Sequence, residues 1–119
     1  MKVEHTVCAA VTIPPGEHRV YEVAGRQIGI FNLDGSFYAL PNACFHQNGP
    51  LCRGMLSGTM RADAESGFKS EWRLDGEVIV CPWHSLEFHV KTGQSIAYPK
   101  RRLPTYPVRV ENGMLRLTL

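Results

Sequence analysis

Two short loops constrain this chain more than anything else in it. Cys44-Phe45-His46 comes first, and Cys81-Pro82-Trp83-His84 follows after 34 intervening residues. Each loop offers one thiolate and one imidazole. Brought together they present two sulfurs and two nitrogens to a metal, so the fold has to close the gap between them. Thiolates are soft and charged, whereas neutral imidazoles are weaker donors that leave a metal easier to reduce. Two kinds of centre use such a set. Zinc takes two cysteines and two histidines in closed tetrahedral structural sites. A zinc finger, however, usually pairs cysteine with cysteine before pairing histidine with histidine. One thiol and one imidazole per loop favours an iron–sulfur cluster instead.

The neighbours of the loops sharpen this reading. Asn48-Gly49-Pro50-Leu51 follows the first loop, and Phe88 with Thr92-Gly93 follows the second. With these residues the pattern resembles the Rieske iron–sulfur proteins. The resemblance implies a [2Fe–2S] cluster with Cys44, His46, Cys81 and His84 as its metal ligands, the two cysteines on one iron and the two histidines on the other. It implies a reduction potential within roughly −150 to +300 mV. High-potential relatives carry an extra cysteine in each ligand loop, bonded to each other. The matching places here hold Gly49 and Trp83, so the chain resembles the low-potential type without that disulfide. Two further residues depart from the family pattern. Ser85 stands where glycine is usual, and His89 where aspartate is usual.

At 119 residues the chain is expected to be a single domain, 1–119. A metal cluster adds stability to a scaffold of this size. Thirteen basic and 11 acidic residues give a net charge of +2, which argues against nucleic acid as a partner. The remaining cysteines, Cys8 and Cys52, read as thiols in a reducing compartment. The start Met1-Lys2-Val3-Glu4-His5 has no apolar signal core, and no run reaches transmembrane length. A cytoplasmic monomer without membrane attachment is the expectation.

The hydrophobic pattern is β throughout. Lys2 to Ala9 reads as a first strand. Pro14-Pro15-Gly16-Glu17 turns the chain into Arg19–Val23, and Ala24-Gly25-Arg26 makes a tight hairpin into residues 27–32. Asp34-Gly35 tolerates positive φ and turns that strand into Ser36–Leu40, completing a meander beneath the cluster-bearing half. Pro41-Asn42-Ala43 leads to the first loop. Between the loops, about 54–77 reads as an inserted hairpin: a polar stretch at 61–67, a strand at 68–74, a turn at Asp75-Gly76, and a strand at 77–80 ending at Cys81. Ser85–Val90 is a short strand turned by Lys91–Gln94. Tyr98–Pro104 takes the place of the proline-containing loop that covers the cluster in relatives. Tyr106–Val110 and Met114–Leu119 close the chain as a hairpin across Glu111-Asn112-Gly113. No convincing amphipathic helix appears. The expected fold is all-β, a Rieske-type antiparallel sandwich or barrel with a small cluster-binding subdomain of two ligand loops at about 41–98.

His5, His18 and His89 read as surface or structural residues. Trp72 reads as core packing for the inserted hairpin, and Trp83 as a shield over the cluster. Gly49, Gly54 and Gly93 are expected to give backbone freedom where amides turn toward sulfur. The run Lys100-Arg101-Arg102 reads first as a solvated face, and second as a patch steering an acidic partner. The resemblance implies an electron-transfer component rather than an enzyme: a ferredoxin taking electrons from a flavoprotein reductase to a terminal oxygenase. A small Rieske subunit of an assimilatory nitrite reductase is the alternative. A zinc-binding structural or interaction module is the alternative from another class.

Overall fold

Strand alternation and paired positive-φ turns lay out most of this chain. The computed structural model describes residues 2–44, 49–62, 64–65, 67–83 and 85–119. Among them, nine strands form three antiparallel sheets of three strands each, with two 3-10 turns and no α-helix.

The central sheet is the meander β2 (His18–Val23), β3 (Arg26–Leu33) and β4 (Ser36–Pro41), in that order. Ala24 and Gly25 turn it first, and Asp34 and Gly35 second, each pair with positive φ at both positions. That is the type I′ requirement, and its twist matches the right-handed twist of the flanking strands. β3 is apolar on both faces because it separates two cores. Ile28 and Ile30 face one core with Ala39, Leu115 and Leu117. Phe31 and Leu33 face the other, with Leu40, Cys44, Leu51, Cys52, Ile79, Cys81 and Phe88. Both cysteines of the two loops therefore sit in the second core.

The first core is closed by the chain ends. β1 (Glu4–Ala9) pairs with β9 (Met114–Thr118), which pairs in turn with β8 (Val108–Glu111). Arg109 grips both carboxylate oxygens of Glu4 at 2.6 Å. Asn112 and Gly113 carry the positive φ values of the β8–β9 turn.

The third sheet is β5 (Met55–Arg61), β6 (Glu71–Val80) and β7 (Glu87–His89), and it corrects two expectations. Asp75-Gly76 is not a hairpin turn. β6 runs through it without a break, and the hairpin is instead the antiparallel pair β5–β6. The pairing slips where Ser57↔Val78 gives way to Thr59↔Arg73, so the extra residues of β6 bulge opposite Gly58. Leu74 and Gly76 both take positive φ there. The tolerance that makes Asp-Gly a turn signal also makes it a bulge signal. The second correction is Trp72, which is half exposed rather than buried in a core. Its indole lies across Gly58, where any Cβ would meet the ring, and its Nε1 donates to Asp75 Oδ1 at 2.8 Å.

Between the first loop and β5, the 3-10 turn Leu51–Arg53 packs Leu51 and Cys52 into the core. Gly54 then takes ordinary extended φ and ψ, so backbone freedom is not its role. It is a point of close approach: an added Cβ would run into the carbonyl of Val80. Gly54→Ala must push β5 away from the last residue of β6. An overpacking cost of about 1–3 kcal/mol is expected, read as a lower denaturant midpoint with an unchanged m-value. An unaltered midpoint would show that the strands part there without strain.

Candidate metal centre

Each cysteine is placed by hydrogen bonds rather than by strand pairing alone. Asn42, buried at the end of β4, donates Nδ2 to Gln27 Oε1 at 3.0 Å and accepts the Cys52 amide on Oδ1 at 2.7 Å. One side chain thus ties the start of the first loop to its exit. Within that loop the Cys44 amide donates to the Gly49 carbonyl at 2.9 Å, and Leu51 N donates to the same oxygen at 2.8 Å. Cys81 follows directly on β6. Its amide donates to Leu86 O at 2.8 Å, and its carbonyl accepts from Ser85 N at 2.9 Å, which curls the second loop.

The two thiols share one core. Cys44 and Cys81 are both fully buried and belong to one core. Gly49 joins their loops: a Cβ placed on it would stand 3.1 Å from Cys81 Sγ and 3.1–3.2 Å from ring carbons of Trp83. Gly49 and Trp83 are the two places where high-potential relatives carry bridging cysteines. Here the loops meet at the same point through the packing of an indole edge on a bare Cα. Trp83 keeps more than half of its surface exposed, so it stands over the junction as a partial cover. His46 and His84, with Phe45, Gln47 and Asn48, lie outside the described residues.

The donor chemistry fits a cluster on its sulfur side. Two thiols sealed in an apolar core have little contact with water, and a metal ion is what stabilises them as thiolates there. All four cysteines are described, and none forms a disulfide. Cys52 belongs to the same core but plays another part. Its Sγ lies against Gly29 and donates to Pro41 O at 3.4 Å, and burial pushes the thiol up to about 12. It stays a neutral wedge under the loop exit. Cys8 packs on the other core, beside the Tyr21 hydroxyl.

The departures from the family pattern have separate consequences. His89 Nε2 meets Glu77 Oε1 at 3.0 Å, and Thr92 Oγ1 lies 3.5 Å from His89 Nδ1. The hydrogen bond from His89, with help from Lys91, holds the Glu77 carboxyl below its usual range. This network ties β6 to the turn after β7, where aspartate is usual. Gly93 is a correction. It takes positive φ, its amide donates to His89 O at 2.7 Å, a side chain there would strike the Leu103 carbonyl, and Leu103 N donates to Gly93 O at 2.8 Å. Its place is under the following loop, not toward the sulfurs. That loop carries Lys100, Arg101 and Arg102, all exposed. Ile96 N donates to Glu87 O at 2.9 Å, which sets the loop beside the strand leaving the second ligand loop. Sequence reasoning missed Asn42. A buried asparagine two residues before the loop exerts its effect only through tertiary contacts, and no local pattern marks it.

The family model of the Rieske [2Fe-2S] domain matches residues 3–107. The chain is 30% identical over 113 residues to the 3-phenylpropionate/cinnamic acid dioxygenase ferredoxin subunit of Escherichia coli K12, covering 94% of this chain and 90% of that one. It is 29% identical over 114 residues to the subunit of the same name from Photorhabdus laumondii, covering 95% and 91%. A chain in the complex of reduced oxygenase and oxidized ferredoxin of carbazole 1,9a-dioxygenase superposes with a TM-score of 0.74 at 27% identity, covering 97% of this chain and 92% of that one. In a carbazole-bound complex of the same system the match, at TM-score 0.73 and 19% identity, spans only 28% of the larger chain. A nitrite reductase small subunit from Mycobacterium tuberculosis shares the fold at TM-score 0.73 and 23% identity, covering 100% and 96%.

Ser85 carries local strain. Its φ is +55°, the left-handed region, at a position where relatives place glycine. A side chain there costs about 1–2 kcal/mol, and glycine returns about 0.5–1 kcal/mol of that through its larger unfolded-state entropy. Ser85→Gly is therefore expected to raise stability by about 0.5–1 kcal/mol, read as a higher melting midpoint. A lowered midpoint would mean that the hydroxyl holds the loop.

Proposed function

Because the chain belongs to the Rieske [2Fe-2S] domain family, we propose that Cys44, His46, Cys81 and His84 hold its cluster. We further propose that the protein is a one-electron carrier, a ferredoxin passing electrons from a flavoprotein reductase to a terminal oxygenase. One observation carries the reading: two fully buried cysteines, each following a strand of a different sheet, belong to one core with Gly49 between their loops. The relatives named as dioxygenase ferredoxin subunits support the assignment of partners. The cluster, when bound, takes up and releases one electron at a time. The rest is the work of the chain. The core of Phe31, Leu40, Leu51, Ile79 and Phe88 keeps water from the thiols. The cluster-binding part spans about 41–98, and β5–β6 is its inserted hairpin. Among the described residues no helix is long and apolar enough to cross a membrane; a cytoplasmic, monomeric carrier is the reading we propose.

Metal and sulfide analysis of anaerobically purified protein tests the centre. Two iron and two sulfide per chain are expected, with a midpoint in the lower half of the span of roughly −150 to +300 mV. Colourless protein holding one zinc would overturn the reading.

The partner assignment has its own test. The exposed Lys100, Arg101 and Arg102 beside β7 suit an acidic docking face. Reversing all three charges to glutamate is expected to slow electron delivery several-fold at low ionic strength, and the difference should shrink above about 0.5 M salt as screening removes steering. Equal rates at low salt would return the run to the role of a solvated surface.

A further inference from the structure

The inserted hairpin holds both outward side chains of β7. This strand is three residues long and carries the chain away from the second loop. Its middle residue, Phe88, is fully buried in the core that holds Cys44 and Cys81. Glu87 and His89 alternate with it, so they point to the opposite face and keep part of their surface. Each meets a different part of the hairpin. Thr59, a buried residue of β5 beyond the pairing slip, donates Oγ1 to Glu87 Oε1 at 2.8 Å. Glu77, within the β6 bulge, meets His89 Nε2 through its Oε1 at 3.0 Å, and the same oxygen takes Lys91 Nζ at 3.4 Å. The Glu77 carbonyl also accepts from Val90 N at 2.9 Å. Arg61 and Leu74 of the hairpin line a cleft with His89, Ser95 and Ile96, which places the hairpin against this side of β7.

We propose that the inserted hairpin braces the second ligand loop, with Thr59 and Glu77 as positioning residues that act on it through Glu87 and His89. This rests on the cluster reading above. The two ends of the loop are held differently. Its entry is set by the β5–β6 pairs from Met55↔Val80 to Ser57↔Val78. Its departure depends on β7, which pairs with β6 only from Val80↔Glu87 to Val78↔His89. So short a ladder gains much from two side-chain ties. A hydrogen bond to a carboxylate is stronger than one between neutral groups, and Thr59 makes its bond where water has little access. The brace reaches the proposed ligand through one further bond. Leu86, next to Glu87, accepts the Cys81 amide at 2.8 Å, so a shift of β7 passes directly to Cys81. The ladder of Glu87 also continues outward, since its carbonyl accepts from Ile96 N at 2.9 Å. The register that delivers Cys81 is untouched by these ties. What they set is where the chain goes after the loop.

Hydrogen exchange in the cluster-loaded protein reads the brace at the amides of Cys81 and residues 85–90. The electron paramagnetic resonance g-values of the reduced protein read its effect on the centre. Thr59→Val removes the donor and keeps the branched shape, whereas Thr59→Ser keeps the donor. Glu77→Ala removes the second tie. Thr59→Val should speed exchange at those amides by about tenfold, as the loss of a hydrogen bond to a charged group implies, and should shift the g-values. Thr59→Ser should stay close to wild type in both. Glu77→Ala should give a smaller rise of about threefold, because that carboxylate is partly exposed. The meander amides should not change in any variant. If Thr59→Val fails to fold, Glu77→Ala against wild type decides. Unchanged exchange at residues 81 and 85–90 would overturn the proposal. So would a rise spread equally over all three sheets, which marks general destabilisation, or a serine variant that behaves like the valine one. Failure of the cluster reading looks different: wild-type protein would contain no iron, and the exchange arm then decides alone.

Discussion

The end of this protein that carries the two loops depends on glycine backbone approaching its neighbours more closely than a Cβ comfortably allows. Gly29 leaves room for the Cys52 side chain, Gly49 for Cys81 and Trp83, and Gly54 for the Val80 carbonyl. These contacts form a chain. The meander supports Cys52 in the 3-10 turn, the turn reaches β6 through Gly54, and Gly49 brings the first loop onto the second. A metal centre split between loops 34 residues apart needs such contacts, because strand pairing alone fixes each loop to its own sheet. Interiors are close-packed and yield little, so placement there is carried over tenths of an ångström.

Electrostatics at this end follows from the same packing. Burial pushes the Cys52 thiol up to about 12 and keeps it neutral. What separates Cys44 and Cys81 from Cys52 is position. Cys52 points back at the carbonyls of β4, whereas the other two stand at the junction of the loops. Three sulfurs in one core thus divide into two that a metal ion can turn into thiolates and one that serves as apolar filling.

The meander and the closing hairpin were legible because their turns are short and their residue types demand positive φ: Ala24-Gly25, Asp34-Gly35 and Asn112-Gly113. The same signal misled at Asp75-Gly76, since a bulge and a turn ask the same of the backbone and only the cross-strand partner tells them apart. β5 went unread as a strand because Met55-Leu56-Ser57-Gly58-Thr59-Met60-Arg61 combines a glycine with exposed methionines, a weak alternation. The pairing of β1 with β9 joins the two ends of the chain and leaves no local trace. Cys44 and Cys81 were singled out by their motif, and both are buried in one core. The supporting residue Asn42 could not be read, because a side chain that holds another loop's backbone carries no spacing rule.

Trp72 shows how the bulge shapes the surface. Met60 and Trp72 are cross-strand partners, and both are more than half exposed, as is Phe68 beyond them. Met60 lies five positions along β5 from Met55, which pairs with Val80, the residue before Cys81, so the pair stands roughly 17 Å from that point along the strand. An indole at that remove neither shields the centre nor lies on a direct route out of it. Its fixed geometry has a local cause. Gly58 leaves a gap opposite the β6 bulge, the ring covers that gap, and Asp75 within the bulge holds the ring by its N–H. The bulge and the tryptophan therefore stabilise each other. Because both lie beyond Ser57↔Val78, the last pair before the slip, changes in the outer hairpin leave the register that delivers Cys81 intact.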